Sequence, residues 1–482
     1  MTSRYFTLAS IFISLSLGSL GCASSGTGSA LHPDAPTTSA LDHSRPEIED
    51  NASGTPADQI AAPSGQDIDQ SATTTELALE SGLAGDSETV GDPKLVAEPE
   101  IEPEIEPEIE PDPEPEQAIE PAPAPMTPAQ QCAANGDFAC ARRIMLEDLR
   151  SGEGNISEFW AYVDADPMLT ETLYETVMPS ETNSISALGG GSTVSFKYVD
   201  IADESAKAAI KPDQDLRQTM YRSEIAYYRL CQIVGCSFYT PVTRPVRWSK
   251  ADFNRLYVAS DSKKNAAYRS KFEHLIWARE DGVQYLYAAY KEWIPDFVGF
   301  PIEVTSAWTI YERPNTTNYP DLATVFKNAL AGGRESSVTT VRKLLGYAGD
   351  MTTRDFMQQL SDLTLIDYLT NNWDRYSGAQ SNYGANCHFQ PGGIVAIDNG
   401  AAFPPWHAPR VVKRLHSVQT FSRALVENLR LLDPDDLLAR LIPNPTKEEL
   451  KSYERFKERR RDALKYIDGL IDKYGVDKVL VF

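Results

Sequence analysis

Residues 366–403 read IDYLTNNWDRYSGAQSNYGANCHFQPGGIVAIDNGAAF. The stretch completes a run, DFMQQLSDLTLIDYLTNNW, whose apolar residues recur at helical spacing, so one long helix with a buried stripe delivers Asp374 to the mouth of a polar loop. A short hairpin follows, and the apolar strand GIVAID ends on Asp398. Two acids joined by a hairpin are what metal-assisted phosphoryl transfer requires, one to orient a nucleophile and one to hold Mg²⁺ against phosphates.

That reading needs the rest of a nucleotide site upstream, and candidates occur in a telling order. LGGGSTVSFKYVD (188–200) places a glycine-rich turn at Gly189, Gly190, Gly191 and Ser192 between two alternating segments, and only glycine lets backbone N–H groups come so close to phosphates. AAIKP (208–212) is a strand carrying Lys211. The following helix, DLRQTMYRSEIAYYRLCQIVG, has Met220, Ile225, Tyr228 and Cys231 on one face and carries Glu224. KFEHLIWARE and VQYLYAAYKEWI flank Asp281-Gly282, a hairpin whose turn asks for positive φ.

Each signal alone has an ordinary structural reading. Three glycines make a plain turn, a strand-end lysine is solvated, a helix glutamate lies on the surface, and Asp-Asn-Gly forms a tight turn; no G-x-x-x-x-G-K-[ST] phosphate loop occurs. The joint order of glycine turn, Lys211, Glu224, Asp374 and Asp398 carries the case.

With those residues on the page, IDYLTNNWDR followed by AIDNGAAFPPWHAP resembles the D-x-L-x-x-N-x-D-R … I-D-N-G-x-x-F pattern of atypical kinases, both the type II phosphatidylinositol 4-kinases and the secreted four-jointed-type kinases of the Golgi. The resemblance spans roughly residues 185–445. It implies an α+β, two-lobed protein-kinase-like fold with a small β-rich N-lobe and a larger helical C-lobe. It implies Asp374 as catalytic aspartate, Asp398 as metal ligand, Lys211 as phosphate lysine with Glu224 as its ion-pair partner, and an adenine-contacting hinge at Glu292, Trp293 and Ile294. ATP with Mg²⁺ or Mn²⁺ would be the cofactors. The sequence departs from the pattern in one loop: Ala379 stands five residues after Asp374, where a second metal-contacting residue belongs, leaving Asn382 as the substitute, and Tyr376 stands where a histidine is usual. The implied activity is transfer of a γ-phosphoryl to a hydroxyl acceptor, protein favoured over lipid or sugar. The rival is a kinase-fold nucleotide-binding or protein-interaction module without catalysis.

The remaining segments set the context. Residues 1–21 pair Arg4 with an apolar stretch too short to span a bilayer, as a signal peptide does. SLGC then resembles a bacterial lipobox, with Cys22 as the lipidated residue and the membrane as a partner. Residues 22–126 read as a disordered acidic linker containing the EPEIEPEIEPEIEP repeat, in which proline excludes helix and sheet and glutamates repel one another. Formal charge is −24, yet residues 23–125 account for about −22 of it. The rest is near neutral and gives no ground for nucleic-acid binding. A helical lead-in is expected over 127–180, the N-lobe over 181–295 and the C-lobe over 296–482. Export permits disulfides, with Cys132–Cys140 and Cys231–Cys236 as the near-neighbour pairs and Cys387 left over. The expected location is the bacterial cell envelope, outer membrane or cell surface rather than inner membrane.

Overall fold

The computed structural model describes residues 125–172, 182–188, 193–216, 220–258, 269–331, 338–376 and 386–482. The signal segment, Cys22, the acidic linker, the glycine turn at Gly189–Ser192 and the loop with Ala379 and Asn382 lie outside the described residues. No helix among the described residues is long and apolar enough to cross a membrane.

The chain enters through four short helices, α1 (Pro128–Ala134), α2 (Phe138–Ser151), α3 (Ile156–Ala165) and α4 (Pro167–Thr170). Thr127 caps α1 through a full capping box with Gln130, and the Cys132–Cys140 disulfide joins α1 to α2 across the Asn135-Gly136 turn. These helices share a core with the C-terminal half. Arg150 donates to Asn428 Oδ1 at 2.9 Å, Arg440 pairs with Asp164 at 2.7 Å, and Phe159, Trp160 and Val163 join the main apolar cluster.

The N-lobe is an antiparallel sheet in the order β1-β2-β3-β6-β4, with β5 pairing β6 as well. Its strands are β1 (Asn183–Ala187), β2 (Phe196–Asp200), β3 (Ala206–Pro212), β4 (Thr243–Ser249), β5 (Trp277–Glu280) and β6 (Val283–Glu292). The β5–β6 turn has Asp281 at φ 48° and Gly282 at φ 82°, the two positive values a two-residue hairpin turn demands. Alternation along the strands sorts side chains by face. Ile185, Phe196, Ala208, Ile210 and Leu286 bury against Phe253 and Leu256 of α6 (Lys250–Val258), forming a small separate core. The opposite face carries Lys211, paired in register with Ala289, and Lys291, paired with Ala209. Helix α5 (Tyr221–Val234) packs on β4 and β6.

The C-lobe is helical: α7 (Leu322–Ala331), α8 (Val338–Ala348), α9 (Thr353–Thr370), α10 (Pro409–Leu415), α11 (Arg423–Leu431), α12 (Pro434–Leu441), α13 (Lys447–Tyr474) and α14 (Val476–Val479), with a three-stranded sheet β7-β8-β9 (Val298–Gly299, Cys387–Gln390, Gly393–Ala396). Phe300, Phe326, Phe356 and Phe389 interlock edge-to-face beneath that sheet, Phe326 and Phe356 at 5.3 Å between centroids. The layout is α+β, an antiparallel sheet with its own small core followed by a mainly helical half, with α9 running into Asp374. Cys231 and Cys236 remain free thiols, so the second near-neighbour pairing does not form; Cys387 is free and buried.

One core residue makes stability depend on pH. Asp362, in the middle of α9, is buried; Ser237 N–H donates to its Oδ2 at 3.1 Å, and burial pushes its carboxyl up to about 7. The folded chain therefore holds a proton that the unfolded chain releases near pH 4, and between these values stability falls as pH rises. Asp362→Asn is expected to raise stability at pH 8 by about 2 kcal/mol, with little gain at pH 4. Urea unfolding at the two pH values checks this, and an equal effect at both would refute it.

Candidate functional site

The end of α9 fixes one side of the site. Asn371 adopts the left-handed conformation (φ 50°) that closes the helix, and Asn372 N–H donates to Asp367 O at 2.9 Å. A single turn, Trp373–Tyr376, then carries Asp374. Beside it Arg375 is fully buried and acts as a hub. Its Nε donates to Asp367 Oδ2 at 3.0 Å, its Nη1 to the carbonyls of Ile397 (2.6 Å) and Asn386, and its Nη2 to Asn399 Oδ1. Tyr227 of α5 also donates to Asp367, at 2.9 Å. One guanidinium thus holds the Asp374 turn, the β8–β9 hairpin and the Asp-Asn-Gly turn in register.

Asp398 sits at the end of that hairpin with φ 53°, a left-handed conformation that a non-glycine residue adopts at a cost. Lys211 donates directly to Asp398 Oδ1. Both side chains open partly to a cleft, at 20% and 35% exposure. Burial pushes the Asp398 carboxyl up, but Lys211 and then Lys291 outweigh it and hold the group at about 2.

The expected Lys211–Glu224 ion pair is not what the structure forms. Glu224 Oε2 accepts from Lys291 Nζ at 2.7 Å, with both side chains 4% exposed or less, and its Oε1 accepts from Gly400 N–H at 3.0 Å. The cause is register. Lys291, opposite Ala209, is placed where its side chain reaches Glu224 on α5, while Lys211, two residues further along β3 and opposite Ala289, reaches the Asp398 turn instead. Burial holds the Lys291 ammonium below its ordinary value despite Glu224. Met220 N–H donates to Gly400 O at 3.2 Å, so α5 is clasped to the turn after Asp398 at two points.

A second residue escaped the sequence reading. Asn386 Nδ2 donates to both the carbonyl and Oδ2 of Asp374 at 3.1 Å, and Asn386 lines the same cleft as Asp398. It stands twelve residues after Asp374, across a loop whose length hides the contact.

The cleft encloses about 480 Å³, and its lining includes Lys211, Lys291, Asp398 and Asn386 together with Trp293, Ile294 and Phe297. The expected hinge residues all line it, although the N–H groups of Glu292 and Trp293 are taken by Val242 O (2.9 Å) and Lys207 O (3.2 Å). Glu292 Oε2 accepts from Tyr239 Oη and Val242 N–H. Phe297 stacks on the buried His388 ring at 4.0 Å, and burial holds that histidine neutral, at about 4.

Among the described residues no three His, Cys, Asp or Glu side chains gather as a metal cluster. The donors present are an Asp398 carboxylate and an Asn386 amide. That set fits Mg²⁺ or Mn²⁺ shared with phosphate oxygens and water, and it does not fit an all-protein cage.

No protein-family model matches the sequence, and no curated protein does. Among solved structures the chain is similar to the crystal structure of an aminoglycoside phosphotransferase from Alicyclobacillus acidocaldarius, at 14% identity and a TM-score of 0.19, over 62% of this chain and 94% of that one. At that score the likeness adds nothing to the geometry above, on which the kinase-like reading rests.

Proposed function

We propose that this chain is an atypical kinase: an ATP-dependent phosphotransferase acting on a hydroxyl acceptor. The observation that carries the reading is the convergence, on one inter-lobe cleft, of Lys211, Lys291, Asp398 and Asn386 from elements far apart in sequence, with Asp374 hydrogen-bonded to Asn386. In this reading the acceptor O–H gives its proton to the Asp374 carboxylate as its oxygen bonds to the γ-phosphorus, and the bond to the β–γ bridging oxygen breaks to release ADP. Asp398 and Asn386 would hold Mg²⁺ or Mn²⁺, which when bound would supply positive charge to offset that of the phosphates. Lys211 exchanges Asp398 for phosphate oxygens, and Lys291 keeps Glu224, and with it α5, in place. Gly189–Ser192 would cover the phosphates, and the nucleobase would lie between Ile294 and the Phe297–His388 stack.

Purified chain with Mn²⁺ and γ-labelled ATP is expected to label itself or an added acceptor. Asp374→Asn should lower the rate by about 10²–10⁴-fold while nucleotide still raises the melting temperature. Nucleotide stabilisation with no transfer in the native chain would favour the rival reading of a non-catalytic binding module, which the direct Lys211–Asp398 contact and Ala379 support.

The segment preceding the fold supports a tethered enzyme: signal peptide, acylated Cys22 and a long acidic spacer at the cell envelope. Incorporation of labelled fatty acid that Cys22→Ser abolishes tests this part separately.

A further inference from the structure

A second cleft, of about 910 Å³, opens beside the first, and the phosphotransferase reading leaves it unassigned. Three connections place it at the transfer end. Trp373 in its wall directly precedes Asp374; Asp213 stands two residues beyond Lys211; and Met220, also in the wall, donates its N–H to Gly400 O after Asp398. Its lining is unusual in two independent ways.

The first is aromatic. Trp373 and Trp406 pack with ring centroids 5.7 Å apart and planes tilted by 46°, and Trp406 is 37% exposed. The Trp373 indole N–H is shielded from solvent and has no hydrogen-bond partner. Exposed indole surface at the mouth of a cleft is costly unless something covers it.

The second is electrostatic. Among the described residues, Asp213, Asp215, Glu448 and Glu449 line the cleft against one cation, Arg222, which is committed to Glu449 at 2.9 Å and to Pro443 O at 2.8 Å. The N-termini of α5 and α13 also point here and contribute about half a positive charge each. Counting all of these leaves a surplus of about two negative charges. Burial of Asp213 already pushes its carboxyl up to about 6, so a cation arriving beside it would relieve an existing penalty.

We propose that this cleft receives the acceptor, and that the acceptor is a polypeptide whose serine, threonine or tyrosine hydroxyl is flanked by arginine or lysine. The flanking cation stacks on the Trp406 indole and meets the Asp213 and Asp215 carboxylates, while the hydroxyl reaches past Trp373 to Asp374. A peptide suits the site better than a single sugar ring because its carboxylates are spread from the end of β3 to the start of α13, on both lobes, along an open channel. The inference rests on the phosphotransferase reading for its hydroxyl chemistry, and binding can be tested without it.

The test measures binding by the full chain, without nucleotide, of a fluorescent peptide containing Ser, Thr and Tyr flanked by arginines. The same peptide with aspartates for arginines, and a neutral oligosaccharide, serve as competitors. The arginine peptide is expected to bind best, weakened about tenfold in Asp213→Asn/Asp215→Asn and about fivefold in Trp406→Ala. Glu448→Gln, an exposed change on α13 with little effect on folding, should weaken it about threefold. Preference for the aspartate peptide or the oligosaccharide, or unchanged binding in Glu448→Gln and Trp406→Ala, overturns the proposal. A separate incubation of the same peptide with Mn²⁺ and ATP keeps the two readings apart: intact arginine-peptide binding with no phosphate transfer there leaves the cleft as a basic-peptide site and counts against the kinase reading instead.

Discussion

Arg375→Met is expected to destabilise the protein by about 3–5 kcal/mol, the largest loss from any single side chain around the site. The reason is what stays behind. Asp367 is buried with no exposure and takes two of the Arg375 bonds, so removing the guanidinium strands an ionised carboxylate in apolar surroundings. Burial already drives that carboxyl up, with Arg375 as the chief opposing influence. The carbonyls of Asn386 and Ile397 lose the Arg375 donor, and Asn399 Oδ1 is left with only the longer bond from Asn372 Nδ2 at 3.4 Å. Nucleotide affinity should fall too, because the same bonds hold the Asp398 turn against the Asp374 turn. Urea unfolding of Arg375→Met, Asp367→Asn and the double variant decides the cause. The double variant should recover at least half of the Arg375→Met loss, since the stranded charge is gone. If it is as unstable as the sum of the two single changes, packing rather than charge governs the hub.

The two acids, the strand lysine and the helix glutamate were legible because each sits where local pattern changes: a helix end, a strand end, a turn. Their pairings were not. Lys291 is the next-to-last residue of β6, and alternation along that strand says only that it shares a face with Ala289. Its partner on α5 depends on where register places it along the sheet, opposite Ala209, and strand register is fixed by partners distant in sequence. Asn386 was hidden similarly. Spacing arguments assume a loop of fixed length after the candidate aspartate, and here the asparagine that bonds Asp374 comes from the far end of the loop. The lead-in helices look independent in sequence, because their own periodicity and caps account for them. Their attachment depends on contacts such as Arg150–Asn428, 278 residues apart, which no local pattern encodes. Cys231 and Cys236 illustrate the opposite error of trusting proximity. Gly235, at φ 75°, closes α5 and turns Cys236 N–H back onto Cys231 O, so the pair is close yet unbonded.

Lys211→Met is expected to act in two directions at once, and the division of labour between the two lysines predicts both. Lys211 donates to Asp398 Oδ1, the oxygen that a metal ion would use in the proposed reaction, so cation binding without nucleotide would first have to displace an ammonium. Removing that ammonium should strengthen Mn²⁺ binding to the nucleotide-free protein by about tenfold, while phosphoryl transfer falls by about 10²–10³-fold for want of a cation on the phosphates. Lys291→Met should behave differently. It leaves Asp398 to Lys211 and instead strands Glu224, which is 2% exposed and otherwise held by Gly400 N–H. Stability should drop by about 3 kcal/mol with no gain in metal affinity. Titration of Mn²⁺ by electron paramagnetic resonance reads the first effect without any turnover, and Asp398→Asn should remove the Mn²⁺ signal in either background. If Lys211→Met binds the ion no better than the native chain, Lys211 does not compete for the site and its contact with Asp398 is a resting geometry without consequence. If Lys291→Met gains affinity instead, the roles are reversed: Lys291 guards the metal position and Lys211 anchors the lobe.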